Sequence, residues 1–285
     1  MTLGPAGAIS STLDGPDGPL EFVTTGSGLP ATVFAHGLAG SIRTTRPFGS
    51  GVGGSRTFLH FRGHGGSAAV TPWTYAALAQ DLKAVADHVG ATQALGVSMG
   101  AGALCRLLAH TPGRFERLVF VMPAVLDQPR TDDGLNRMLE MAQCVENRDV
   151  QTLTVLLLEA EPVCVRNQTG VELWCRRQAA AMVGTDVAQA LRALSTTVPM
   201  KERASLGDVS APALVIAQEQ DPAHPVWVAE QLTASLPEAH LEVMAPGGLM
   251  WRHRARMRDL IGGFLSAQPR GQSTRASRST GGRRD

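Results

Sequence analysis

The sequence predicts an α/β fold: a mostly parallel, doubly wound sheet with a helical cap inserted after the sixth strand. Three observations lead to it. Short apolar segments alternate with longer amphipathic ones, the interval 127–206 has helical patterns without clear strands, and a G-x-S-x-G segment follows one apolar run. The chain has 285 residues, 44% of them hydrophobic and 18% charged, so it can bury a large core without disulfides or metal.

The first part of the predicted core alternates strands and helices up to residue 126. Residues 1–19 are rich in glycine and proline, and we expect them to lie on the surface. The predicted strands are at 20–25, 31–35, 56–61, 93–97 and 118–122, and the predicted helices at 75–89 and 99–110. Strands joined through helices run parallel, which is the basis for predicting a doubly wound sheet.

The character of the chain changes after residue 126. Amphipathic stretches at 134–147, 149–160, 171–183 and 186–196 predict a helical cap over residues 127–206. The core then resumes over 207–265, with strands at 213–217 and 240–244 and helices at 226–236 and 252–265. Residues 266–285 contain five arginines and one aspartate, and this composition predicts a disordered basic tail.

The most informative short segment is Gly96-Val97-Ser98-Met99-Gly100. A strand that reverses sharply into a helix holds its middle residue in strained dihedral angles, so the positions two before and two after it must lack side chains. The two glycines meet this requirement. We therefore expect Ser98 to be an exposed nucleophile between a strand and a helix.

Two upstream segments give this serine a context. The run ending in HGLAG at 36–40 reads as a strand followed by a glycine-spaced loop, and RGHGGS at 62–67 follows the next predicted strand. Together with GVSMG at 96–100, they resemble the α/β-hydrolase fold family, in particular its capped, serine-nucleophile esterases and lactonases of bacteria. The resemblance covers about residues 20–265, and it is specific for the fold but not for the substrate.

The resemblance also implies roles for the loop residues. The backbone amides of Leu38 and Met99 would form the oxyanion hole, where N–H groups stabilise the charge of a tetrahedral intermediate. His36, Gly37 and His64 match positions at which the family organises its loops, so we expect them to act behind the reacting groups.

A serine hydroxyl needs an imidazole that accepts its proton, and the imidazole needs a carboxylate that orients it. In α/β hydrolases these residues follow the chain order serine, acid, histidine. Asp221 follows directly after the predicted strand 213–217, where this fold carries its acid. We therefore assign Asp221 as the orienting carboxylate.

The base of the triad has two interpretations. Many relatives carry a histidine directly after a glycine behind the last strand, but here Gly248 is followed by Leu249. In one interpretation His253, at the start of the last helix, is the base. In the other, the base is lost or altered at Leu249. His224 is close to Asp221, but we interpret it as part of the loop structure.

The expected function is a serine hydrolase that acts through an acyl-enzyme on an ester, lactone or thioester of an apolar organic substrate. Two alternatives remain open: carbon–carbon or other non-hydrolytic chemistry in the same pocket, and a catalytically impaired relative that binds a ligand. Arginine outnumbers lysine 24 to 2, which is typical of a GC-rich bacterial genome, where such enzymes often modify secondary metabolites.

Composition limits the partners. A net charge of +1 does not indicate nucleic-acid binding, and we expect a small-molecule substrate. The sequence has no apolar run of membrane-spanning length, and its first residues are glycines and prolines where a secretory signal has a basic start and an apolar core, so we expect no membrane partner and a cytoplasmic location. No metal or cofactor is expected, since the four cysteines lack C-x-x-C spacing.

Arg43 and Arg46 are interpreted as solvated or structural, with contact to an acidic substrate group as the alternative. The oligomeric state stays open.

Overall fold

The computed structural model describes residues 10–267 of the chain. Its strands are β1 (Ser10–Asp14), β2 (Pro19–Thr25), β3 (Ala31–Ala35), β4 (Ser55–Leu59), β5 (Gln93–Val97), β6 (Arg117–Val121), β7 (Ala213–Gln218) and β8 (Ala239–Met244). Within these residues they form one eight-stranded sheet in the order β1-β2-β4-β3-β5-β6-β7-β8. The pairs β1–β2 and β2–β4 are antiparallel and all the others are parallel. The predicted fold class is confirmed.

The helices lie on both faces of the sheet and above it. They are α1 (Ile42–Thr45), α2 (Tyr75–His88), α3 (Met99–Leu108), α4 (Asp133–Glu146), α5 (Val150–Ala160), α6 (Val163–Arg166), α7 (Thr169–Met182), α8 (Val187–Ser195), α9 (Val226–Ser235) and α10 (Arg254–Ser266). Short 3₁₀ helices occupy Arg46–Gly49 and Arg203–Leu206, and a π-helical turn occupies Gly248–Arg252. Because α4 to α8 follow β6 and precede β7, they form the cap that the sequence predicts after the sixth strand.

The central strands read as continuous apolar runs because helices cover the sheet on both faces. Every residue of β3 and of β7 is buried. On one face, Leu78 of α2 and Leu104 of α3 are fully buried in the larger core cluster. On the other face, Ile261 of α10 packs with the aromatic pair Phe34 and Phe58, whose ring centroids are 4.6 Å apart. This packing fixes the carboxyl ends of β5 and β7, where the site lies.

The cap has its own small core and a polar anchor to the rest of the protein. Leu153, Ala179 and Val187 are buried in that core, against which Leu38 also packs. The buried side chain of Gln178 donates a hydrogen bond through Nε2 to the carbonyl of Ala39. The cap is therefore held directly above the loop that follows β3.

Two expectations need comment. Residues 1–19 are expected on the surface, and within them Ser10–Asp14 forms an edge strand that the sequence does not predict, β1, which pairs antiparallel with β2. Its residues are partly or fully exposed, so no apolar alternation marks it in the sequence. The predicted basic tail falls, apart from residues 266 and 267, outside the described residues. None of the helices in residues 10–267 combines the length and the apolar character that crossing a bilayer requires.

Candidate active site

Ser98 lies at the turn between β5 and α3, in a conformation that a non-glycine residue rarely adopts, with φ 50° and ψ −108°. The flanking glycines make the turn possible. A Cβ atom on Gly96 would lie 2.5 Å from the carbonyl oxygen of Gly100, and one on Gly100 would lie 2.5 Å from that of Ala35. The turn around Ser98 is therefore the sharp one that G-x-S-x-G predicts, and Ser98 lines a cavity at the carboxyl end of the sheet.

The imidazole of His224 is in contact with this serine. Its Nε2 lies 2.9 Å from Ser98 Oγ, and its Nδ1 lies 3.0 Å from Asp221 Oδ2. An ionised carboxylate only accepts hydrogen bonds, so Nδ1 donates to Asp221, and Nε2 is left to accept the serine proton. Ser98, His224 and Asp221 thus form one hydrogen-bonded chain.

Asp221 is prepared for this contact by the turn in which it lies. Its Oδ1 accepts hydrogen bonds from the backbone amides of Ala223 (2.8 Å) and His224 (3.0 Å), which leaves Oδ2 for the imidazole. Burial by itself would raise the pKa of the Asp221 carboxyl, but the imidazole and the two amides outweigh it, and the pKa lies below its ordinary value. The acid is therefore ionised at neutral pH.

A nearly buried arginine holds the same turn from the other side. Arg130, in the segment between β6 and α4, donates through Nη1 to the carbonyl of Ala223 at 2.7 Å, and its Nη2 is 3.5 Å from that of Pro222. Its side chain is 7% exposed and forms an ion pair with Asp132 at 3.0 Å. Arg130 therefore links the entrance of the cap to the peptide that carries His224.

The placement of His253 corrects the sequence-based assignment. Its Nε2 lies 2.8 Å from the carbonyl oxygen of Ala245, and its backbone directly precedes α10, so it does not contact Ser98. The expectation that His253 approaches the serine is wrong, and so is the interpretation of His224 as loop structure alone. The physical reason is local: His224 is three residues from Asp221 in a tight turn, whereas the π-helical turn before His253 directs its ring to the backbone.

Leu249, at the position where relatives often carry the base, has an apolar role here. It is 4% exposed, lies in the π-helical turn and lines the cavity that contains Ser98. The π-helical turn thus forms part of the cavity wall, and its residue 249 has no group that could accept a proton.

The two amides expected to form the oxyanion hole belong to the loop after β3 and to the first residue of α3. Leu38 follows β3 and lines the cavity with Ser98, and Met99 is the first residue of α3. Among residues 10–267, neither amide donates a hydrogen bond. The amide of Met99 is also at a helix N-terminus, where N–H groups lack intrahelical partners and favour negative charge.

His36, Gly37 and His64 lie behind the reacting groups. His36 is fully buried; its Nδ1 donates to the carbonyl of Gly37 at 2.7 Å, and its Nε2 accepts the amide of Phe61 at 3.1 Å. Burial lowers the pKa of His36 well below its ordinary value, and the neighbouring histidines lower it further. This neutral ring ties the loop after β3 to the loop after β4.

His64 packs against His36 with its ring tilted, the ring planes inclined by 58° and the centroids 4.6 Å apart. Its Nδ1 donates to the carbonyl of Arg62 at 3.0 Å, and burial lowers its pKa to about 4. The buried guanidinium of Arg62 forms ion pairs with Asp81 at 2.7 Å and Asp17 at 2.9 Å. His64 is therefore part of the RGHG loop structure and has no contact with Ser98.

We call the cavity around Ser98 and His224 the nucleophile pocket; its volume is about 530 Å³. Its wall is largely apolar and comes from the cap, the loop after β3 and the π-helical turn. The large apolar side chains that line it are Leu38, Phe48, Met122, Met141, Leu157, Trp174, Met182, Leu249, Met250 and Trp251. A volume of this size accommodates an organic molecule of moderate size.

One carboxyl group of the cap enters the same pocket. Glu161, between α5 and α6, accepts a hydrogen bond from Trp251 Nε1 at 2.9 Å. Burial raises the pKa of Glu161, and the nearby charge of Asp221 adds to the effect.

Among residues 10–267, no group of three or more His, Cys, Asp or Glu side chains is arranged to hold a metal ion.

The chain is similar to a known family and to solved structures of one fold. The family model described as serine aminopeptidase, S33, matches residues 31–249. An esterase from Exiguobacterium antarcticum is 18% identical, with a TM-score of 0.74, over 91% of this chain and 100% of its own. An esterase from Thermogutta terrifontis is 19% identical, with a TM-score of 0.74, over 89% and 97%. An enol-lactonase from Burkholderia xenovorans is 17% identical, with a TM-score of 0.73, over 90% and 100%. No curated protein matches in sequence.

Proposed function

Because the chain belongs to the serine aminopeptidase S33 family of α/β hydrolases, which makes it a hydrolase enzyme, we propose that it cleaves carboxylic esters, lactones or thioesters through an acyl-enzyme on Ser98. The observation that supports this most strongly is the 2.9 Å contact between His224 Nε2 and Ser98 Oγ. An unassisted hydroxyl is a poor nucleophile at neutral pH, and this contact supplies the missing proton acceptor.

In the proposed first step, Ser98 Oγ attacks the substrate carbonyl carbon while its proton passes to His224 Nε2. Asp221 stabilises the resulting imidazolium, because its ionised Oδ2 already accepts the Nδ1 proton. The carbonyl oxygen becomes an oxyanion, to which the amides of Leu38 and Met99 donate. Hydrogen bonds of this kind contribute about 3 kcal/mol each to transition-state stabilisation.

In the second step, the tetrahedral intermediate collapses, and His224 returns the proton to the departing alcohol or thiol. Water then enters, loses a proton to His224 and attacks the acyl carbon. Collapse of this second intermediate releases the acid and restores the Ser98 hydroxyl. The same imidazole therefore serves as base and acid in both halves of the reaction.

The apolar wall of the nucleophile pocket supports an organic acyl or alcohol group. Trp174 and Trp251 contact each other edge to face, with ring centroids 5.9 Å apart, and both line the pocket. The similarity to two esterases and an enol-lactonase supports the ester class but, at this identity, does not select a substrate.

The test is hydrolysis of a panel of 4-nitrophenyl esters, aryl lactones and acyl thioesters by the parent protein and by Ser98→Ala. We expect kcat/KM of the best substrate to fall about 10³-fold or more in Ser98→Ala. Ser210→Ala, at an exposed serine outside the nucleophile pocket, is the matched control and should retain the parent rate. Equal activity of Ser98→Ala and the parent would refute the acyl-enzyme.

A further inference from the structure

A second cavity adjoins the nucleophile pocket. It has a volume of about 800 Å³ and lies against α1, the end of α7 and the loops after β3 and β4; we call it the side pocket. Gln178 and Met182 of the cap line both cavities, as do Arg43 of α1 and Arg254 at the start of α10. Because the two pockets share this wall, a long substrate could occupy both.

Two guanidinium groups at this shared wall have no counter-ion among the residues that the structure describes. Arg43 and Arg254 are exposed, and within residues 10–267 neither forms an ion pair or a side-chain hydrogen bond. They come from elements more than 200 positions apart in sequence, so their convergence is produced by the fold. Arginine matches the geometry of carboxylate and phosphate groups, with two parallel N–H donors.

The carboxylates that line the two pockets are already engaged. In the side pocket, Glu21 accepts hydrogen bonds from Ser10, His60 and the amide of Gly66. In the nucleophile pocket, Asp221 holds His224, and Glu161 accepts from Trp251. Arg43 and Arg254 thus offer positive charge that the wall itself does not neutralise, and a cleft between low-dielectric walls strengthens its effect on a ligand.

We propose that the side pocket takes an anionic group of the substrate, a carboxylate or a phosphate, and that Arg43 and Arg254 bind it while the ester carbonyl reaches Ser98. The inference rests on the proposed function, since it names the substrate class for the same site. The apolar part of such a substrate fills the nucleophile pocket, and the charged end projects past Gln178 and Met182.

The experiment compares two series of 4-nitrophenyl esters with acyl chains of increasing length, one ending in carboxylate and one ending in methyl. At one chain length we expect the parent kcat/KM to favour the carboxylate about tenfold or more. In the double variant Arg43→Gln/Arg254→Gln this ratio should fall to about one, and in the parent it should decrease at 0.5 M salt, where the Debye length is only about 4 to 5 Å. Arg258→Gln, an exposed change on α10 outside both pockets, should retain the parent ratio.

Chains ending in phosphonate distinguish the two sources of the anion: whichever end group gives the larger Arg-dependent preference identifies the natural one. The inference is overturned if no length favours the anion, or if the preference survives in the double variant. If the parent hydrolyses none of these esters, the proposed function fails separately. Binding of glutarate and of 3-phosphonopropionate to Ser98→Ala, measured by calorimetry, then decides, and the anion site requires binding that the double variant loses.

Discussion

His224 Nε2 lies 2.9 Å from Ser98 Oγ, and the same ring is held by a carboxylate only three positions earlier in the chain. The acid and the base of the candidate triad therefore share one turn after β7, and the segment after β8 contributes pocket wall, which includes Leu249, Met250 and Trp251. With an imidazole on Ser98, the absence of histidine at position 249 no longer argues for a ligand-binding protein.

Replacing the acid should impair turnover more than folding. In Asp221→Asn, one side-chain oxygen can still accept the turn amides, but the imidazole loses its charged partner and its fixed tautomer. We expect kcat for the best ester to fall about 10³-fold to 10⁴-fold. Asp259→Asn, at an exposed position on α10, is the matched control. A kcat within tenfold of the parent in Asp221→Asn would remove Asp221 from the triad.

Arg130 should act on turnover through the carbonyl of Ala223. Arg130→Gln removes the 2.7 Å hydrogen bond to that carbonyl, and a bond from a charged donor contributes about 1.5 to 3 kcal/mol, so kcat should fall about tenfold to 100-fold. Added guanidinium should restore part of kcat in Arg130→Ala, an effect that a loss of folded protein would not give. Arg137→Gln on α4 serves as the control. If kcat is unchanged in Arg130→Gln, the turn is held without this contact.

The glycines of the serine turn should be intolerant of any side chain. In Gly100→Ala the new Cβ would lie 2.5 Å from the carbonyl oxygen of Ala35, which belongs to a buried central strand. We expect the free energy of unfolding to fall by about 2 kcal/mol or more, measured by urea denaturation. Gly170→Ala, in α7 with no atom near the added Cβ, should raise it by about 0.5 to 1 kcal/mol. Equal stability of the two variants would contradict the steric account.

The buried histidines predict loss of stability in mild acid. His64 has a pKa of about 4 in the folded protein against 6.5 when exposed, so between these values the unfolded chain binds more protons than the native one. The free energy of unfolding should therefore decline as the pH falls from 6.5 to about 4, with His64 contributing up to about 3 kcal/mol. His36, whose pKa is also lowered by burial, adds to the decline.

Urea denaturation at several pH values measures this decline. His64→Gln should make it shallower, whereas His110→Gln, at an exposed position, should leave it as in the parent. A slope between pH 6.5 and 4 that is the same in His64→Gln and the parent would show that His64 accepts a proton in the native state.

The fold is readable from the sequence because its central elements carry strong local patterns. The continuous apolar runs of β5 and β7 and the amphipathic stretches of α4 and α8 predict their own bounds to within a few residues. Strand β1 has no such pattern, since its partly or fully exposed residues form a strand only by pairing with β2.

The sequence predicts a site residue only where neighbouring residues in the chain determine its position. Ser98 is indicated by the glycines its turn requires, and Asp221 by its position directly after a buried strand. The same kind of reasoning predicts His224. Asp221 accepts the backbone amides two and three residues later through one carboxylate oxygen, and such a turn brings the side chain of the third residue, His224, against the other oxygen. Placing the base after the last strand followed the resemblance instead. No sequence feature near Arg43 or Arg254 predicts that the two side chains line the same wall.

The central claim is that the proton of Ser98 passes to His224, and labelling with a fluorophosphonate tests it most directly. We predict that the parent and His253→Ala are modified at Ser98 at similar rates, while His224→Ala reacts at least about 100-fold more slowly although it remains folded by circular dichroism. Rapid labelling of His224→Ala, with labelling lost in His253→Ala, would contradict the account.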